Sequence, residues 1–140
     1  MPGAFGAVLF DWRGTLFHDE DDAAWIRASA ASISQTLTTH GIVSDIHYPL
    51  RPHFDRYGLG TFVDSYTLSF EHGLQKPHPR LFQIALDQLG VTPRESLIVG
   101  DRAVRDSGAA TLGITTLILP PVPNHSPRGL DIVLRLLSSA

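Results

Sequence analysis

The chain has 140 residues, a formal net charge of −3 and no cysteine. A single core domain over residues 1–140 is therefore expected, and disulfides and thiolate metal sites are excluded. No basic block points to nucleic acid, the N-terminus lacks the basic n-region of a signal peptide, and no run approaches the roughly 18 apolar residues of a membrane span. The expectation is a soluble cytoplasmic protein that contacts neither nucleic acid nor membrane.

The first apolar run, Ala7-Val8-Leu9-Phe10, is bounded and too short for a helix, so it reads as a buried strand ending on Asp11. Gly14 and Thr15 read as the turn that follows. His18–Asp22 is an acidic turn suited to a helix start, because acids there offset the positive end of the helix dipole. Ile26, Ala30, Ile33 and Leu37 recur at steps of three and four, predicting a helix from about Asp22 to Thr39 with Gly41 as its stop. Ile42-Val43 is a very short second strand ending on Ser44-Asp45. Pro49–Tyr57 reads as a helix, Phe62–Leu68 as a third strand and Gly73–Pro79 as a loop. Leu81–Leu89 follows as a helix closed by Gly90. Ser96–Val99 is a fourth strand ending on Gly100-Asp101, Ala103–Leu112 a helix, Ile114–Leu119 a fifth strand, and Leu130–Leu137 an amphipathic helix. This alternation predicts a doubly wound α/β layer around a parallel five-stranded sheet.

In a parallel sheet the strand ends share one edge, where α/β folds bind ligands. That edge would gather Asp11, Ser44, Asp101 and, from the loop after the third strand, Lys76. Taken alone, Asp11 would equally cap a turn. Neighbouring carboxylates repel unless a cation lies between them, and an all-oxygen pocket suits magnesium. Ser44 and Lys76 read as donors to a tetrahedral oxyanion such as a phosphoryl group. Asp106, five residues after Asp101 and one helical turn into the next element, would hold a metal-bound water or orient Lys76.

These residues resemble the motifs of the haloacid dehalogenase superfamily of aspartyl-nucleophile hydrolases, most of which are phosphatases. The first motif, DxDGT, is similar to Asp11-Trp12-Arg13-Gly14-Thr15, and the second to Ser44 in GIVSDI. The third, a lysine followed by proline, is similar to Lys76-Pro77. The fourth, GDxxxxD, is matched by Gly100-Asp101 through Asp106. The resemblance implies a strand order 3-2-1-4-5 and supplies roles. Asp11 would be the nucleophile and form an aspartyl-phosphate. Magnesium would be held by Asp11, Asp101 and the backbone carbonyl of Arg13, with Asp106 completing the shell. Ser44 and Lys76 would grip the transferring group of a small phosphorylated substrate.

Arg13 departs from this pattern by replacing the second aspartate of the first motif, the group that protonates the leaving oxygen and then activates water. A guanidinium stays protonated and cannot act as a base. Arg13 would instead pair with a substrate anion through its planar fork, or sit in a surface salt bridge or lid. The distance between Asp11 and Ser44 also leaves no room for a separate cap domain. Three readings follow: a magnesium-dependent phosphate hydrolase, a catalytically silent module that binds a ligand at the old site, and a hydrolase of a non-phosphate substrate such as a haloacid. The seven histidines show no metal-ligand spacing. His18, His40, His53 and His125 read as surface residues, and His47 and His72 as candidates for substrate contact. Trp12 reads as packing beside the first strand.

Overall fold

A strand covered on both faces has no solvent side to leave polar, and Ala7–Phe10 is buried at every position. In the computed structural model, which describes residues 5–12, 39–56, 58–119 and 130–138, this strand, β1, lies at the centre of a sheet. The other strands are β2 (Thr39–Ser44), β3 (Ser65–Leu68), β4 (Ser96–Gly100) and β5 (Thr115–Ile118). The order is β3-β2-β1-β4-β5 and every pairing is parallel. The described helices are α1 (Arg51–Arg56), α2 (Ser69–His72), α3 (Pro79–Leu89), α4 (Ala103–Asp106) and α5 (Leu130–Ser138). Among the described residues no helix is long and apolar enough to cross a membrane.

Alternate side chains of the strands feed two cores. Leu9, Val43 and Ile98 pack on Leu81, Phe82, Ala85 and Leu86 of α3. Val8, Phe10, Ile42 and Val99 face the other way, toward Trp12, Phe54 of α1 and Val133 and Leu137 of α5. An isolated helix as short as α3, with 11 residues, is marginal in water. Burying each large apolar side chain on its inner face contributes about 1.5–3 kcal/mol, so packing holds it. The ends of α3 are fixed locally. Pro79 occupies its first turn, His78 Nδ1 accepts from the Arg80 N–H at 3.1 Å, and Gly90 closes it with φ of 67°.

The sequence expectations need correction at four places. Most of the helix expected from Asp22 to Thr39 falls outside the described residues, but Thr39 itself opens β2, and Gly41 is a strand residue rather than a helix stop. The reason is packing: a Cβ on Gly41 would stand 2.8 Å from Leu9 Cδ2 and 3.0 Å from Ser65 Oγ. The third strand starts at Ser65, because Gly60–Phe62 is taken up by a 3-10 turn. The helix expected over Ala103–Leu112 is α-helical only to Asp106, and Ser107–Leu112 winds on as a 3-10 helix. Of the histidines expected at the surface, His40 is buried in β2, while His53 is half-buried, its ring 5.6 Å from that of Trp12. Trp12 packs as expected, 1% exposed and 4.5 Å from the Phe54 ring. Arg13, Gly14, Thr15, His18 and His125 lie outside the described residues.

Candidate active site

Asp11 is the first residue past β1. Its N–H donates to the Val99 carbonyl at 2.9 Å, which carries the β1–β4 ladder one step further and fixes the carboxylate at the sheet edge. Asp101 is the first residue past β4, one residue beyond Gly100, which continues the β1–β4 register opposite Asp11, so the two acids end neighbouring strands. Asp106 closes α4, where its N–H donates to the Arg102 carbonyl at 2.8 Å. Gly100 makes this approach feasible: a Cβ there would run into the Asp106 carboxylate. The three carboxylates offer oxygens that all lie within 4.8 Å of one another.

Lys76 enters this cluster from the loop before α3. Its Nζ donates to Asp11 Oδ1 at 2.8 Å, to Asp106 Oδ1 at 2.7 Å and to the Val43 carbonyl at 3.3 Å. Its side chain is 3% exposed, so these acceptors replace the water it has lost. Burial alone would lower its pKa, but the charges of Asp11 and Asp106 outweigh that and hold the ammonium above its ordinary value. For Asp11 burial dominates and pushes the carboxyl up to about 6. The Lys76 charge opposes the rise and the adjoining Asp101 adds to it. Ser44 ends β2 next to Val43, whose carbonyl receives Lys76, and is 2% exposed.

The structure thus brings Asp11, Lys76, Asp101 and Asp106 together, with Ser44 at the adjoining strand end. The fifth expected contributor, the Arg13 carbonyl, lies outside the described residues. The donor set is all oxygen and carries more negative than positive charge. Asp101 Oδ1 is buried without a hydrogen-bond partner among the described residues, beside the Asp11 carboxyl. A buried, unpaired carboxylate oxygen is costly, and a hard divalent cation is the group that would satisfy it. Asp106 is placed differently: its Oδ1 accepts from Lys76 and its Oδ2 from the Arg102 N–H at 3.0 Å.

Sequence reasoning missed two residues. Asp45 Oδ1 accepts the Lys76 main-chain N–H at 2.8 Å, and Asp45 Oδ2 pairs with Arg105 Nη1 at 2.7 Å. Asp45 follows Ser44 directly, which was a local signal. Nothing in the spacing joins it to Arg105, 60 residues away. Both line a cleft of about 680 Å³ with His47, Phe70, Leu74 and His78. Of the two histidines read as candidates for substrate contact, His47 lines this cleft and His72 does not.

Residues 39–113, which hold β2 through α4 and all the described site residues except Asp11, match the family model of haloacid dehalogenase-like hydrolases. The chain belongs to this family. It is 40% identical over 63 residues to a glyceraldehyde 3-phosphate phosphatase of Methanopyrus kandleri, covering 44% of this chain and 27% of that protein. It is 32% identical over 116 residues to a phosphoserine phosphatase of Thermus thermophilus, covering 79% of this chain and 45% of that protein. The chain therefore spans less than half the length of these curated relatives. An uncharacterised protein from Listeria monocytogenes shares the fold, with a TM-score of 0.77 at 17% identity over 97% of this chain and all of that one.

Proposed function

We propose that this haloacid dehalogenase-like chain, folded as one core domain over residues 1–140, hydrolyses small phosphate monoesters with magnesium and with Asp11 as the nucleophile. The observation that carries the reading is the buried carboxylate cluster at the strand ends, bridged by Lys76, in which Asp101 Oδ1 has no hydrogen-bond partner among the described residues. The phosphatases among the relatives act on small phosphorylated compounds, as their names state, which supports the substrate class.

In this reading an Asp11 oxygen bonds to phosphorus while the bond from phosphorus to the ester oxygen breaks, and that oxygen leaves as an anion that takes its proton from water. Water then cleaves the aspartyl-phosphate, releasing inorganic phosphate and restoring the carboxylate. Lys76 faces both partners: it offsets the charge of Asp11 before attack and that of the phosphoryl oxygens as they gather charge. Ser44 donates its hydroxyl to a phosphoryl oxygen. Asp106 holds the Lys76 ammonium in place and stands where it would complete a metal shell. Asp11 and Asp101, with the Arg13 carbonyl, would hold magnesium, which supplies neutralisation of phosphoryl charge.

Arg13 favours a second reading, a module that binds a phosphorylated ligand without turning it over, because it cannot give or take the proton that ester cleavage requires. A panel of phosphate esters assayed with and without magnesium separates the two, with Asp11→Asn as the blank. Magnesium-dependent release of phosphate that vanishes in Asp11→Asn is the expected result. Binding of the esters with no release, even of activated aryl phosphates, would overturn the hydrolase reading in favour of the silent module.

A further inference from the structure

We propose that Asp45 and Arg105 are a positioning pair for Lys76, fixing the main chain of its loop so that the ammonium reaches Asp11. The proposal rests on the reading of Lys76 as the group that grips the phosphoryl. Lys76 is the only lysine in the chain, and its side chain must reach from an irregular loop across to β1. Such a long side chain loses much of its rotamer freedom when it is ordered. Its head meets three acceptors only if the main chain beneath it is held.

Two contacts hold it. Asp45 Oδ1 accepts the Lys76 N–H at 2.8 Å. On the other side Pro77 lies directly on Gly108, where a Cβ would run into the Pro77 carbonyl. The remaining oxygen of Asp45 is taken by Arg105 Nη1 at 2.7 Å, and Arg105 immediately precedes Asp106, which receives the Lys76 ammonium. Residues 105–108 therefore form one seat. Asp106 holds the head of Lys76, Gly108 the following proline, and Arg105, through Asp45, the amide. The Arg105 side chain is 43% exposed, and a pair that open to water contributes little to stability. Its value is geometric: it keeps the Asp45 carboxylate turned toward the Lys76 N–H.

The test uses the single lysine. N-hydroxysuccinimidyl acetate acylates accessible amines, and peptide mass analysis separates Lys76 from the N-terminal amine. In the parent protein Lys76 should be protected. Asp45→Ala should raise its acylation rate by about tenfold or more, the scale of one lost hydrogen bond to a charged group. Asp45→Asn keeps one acceptor for the Lys76 N–H but loses the pairing with Arg105, so Asp45→Asn and Arg105→Gln should both fall between the parent and Asp45→Ala. Val133→Ala, a truncation on α5 away from the loop, controls for general loosening. In the phosphatase assay Asp45→Ala should lower kcat more than it raises KM. Parent-like protection of Lys76 in Asp45→Ala, or equal exposure in Val133→Ala at matched thermal stability, would overturn the proposal. So would unchanged kcat in Asp45→Ala. If the parent releases no phosphate, the hydrolase reading fails, while the labelling still decides whether the pair positions Lys76.

Discussion

The carboxylate of Asp106 occupies the space that a β-carbon on Gly100 would need. The glycine of the GDxxxxD motif is thereby explained by volume: β4 must lack a side chain where the buried acid folds back over it. Gly100→Ala should displace Asp106 from Lys76 and destabilise the fold by about 1–3 kcal/mol, the usual cost of overpacking. Urea denaturation measures this. A parent-like midpoint would show that Asp106 moves aside without cost.

Magnesium should raise the thermal midpoint, because it would bind the folded chain and not the unfolded one. Asp101→Asn tests the site in two directions. It removes one of two adjoining like charges, so the metal-free variant should melt at the same temperature as the parent or higher. It also removes an anionic ligand, so the magnesium-dependent shift should shrink or vanish. A full shift in Asp101→Asn would place the metal elsewhere.

The pH dependence follows from Asp11, which burial pushes up to about 6 from an ordinary value of 3.8. A carboxyl raised in the folded state favours folding when protonated. Its contribution is fully present below the unfolded pKa and is lost as pH rises through about 6. The metal-free protein should therefore lose stability between about pH 4 and 7 through this group, and Asp11→Asn should flatten the profile. Magnesium requires the ionised form, so its thermal shift should grow over the same window. A shift independent of pH would mean that Asp11 is already ionised throughout.

Lys76→Met leaves Asp11 and Asp106 without their shared cation in a site where water cannot replace it. Removing one partner of a buried ion pair costs about 3–5 kcal/mol, so the variant should be strongly destabilised at pH 7. The loss should be smaller near pH 5, where Asp11 can take up a proton, as chemical denaturation at the two pH values would reveal. Equal losses at both would assign the cost to packing rather than charge.

Arg13 gives a prediction from sequence alone. With Asp11 as the proposed nucleophile, its attack would not require residue 13, but an alkoxide leaving group would need a proton and the water step a base. Aryl and acyl phosphates should react while alkyl phosphates barely do, and an aspartyl-phosphate should accumulate, visible by intact mass. Arg13→Asp should restore alkyl ester turnover by roughly 10²-fold or more. Equal rates on aryl and alkyl esters in the parent would mean that proton transfer is not what is missing.

Much of the site was legible because chemistry and chain punctuation coincide. Asp11, Ser44 and Asp101 each end an apolar run, and a parallel sheet carries all such ends to one edge, so strand termination together with the expected sheet located them. Lys76 was legible as the lysine of the loop after the third strand and by its likeness to the lysine–proline motif, and Asp106 by the spacing of the GDxxxxD motif.

The sequence by itself determined the strand–helix alternation, and with the motif resemblance the strand order and the acids of the edge, because periodicity and strand termination are properties of neighbouring residues. It misread Gly41 as a helix stop, because a glycine demanded by the nearness of Leu9 and Ser65 looks the same in sequence as one demanded by a turn. Only the tertiary structure decided that Asp45 serves the Lys76 amide, that Arg105 holds Asp45, and that Gly100 and Gly108 clear space for Asp106 and Pro77. Apart from Gly100 and Asp106, these are contacts between residues distant in the chain, set by how the loops after β2 and before α3 settle against α4 and the turn after it, and no local pattern of residue types encodes that distance.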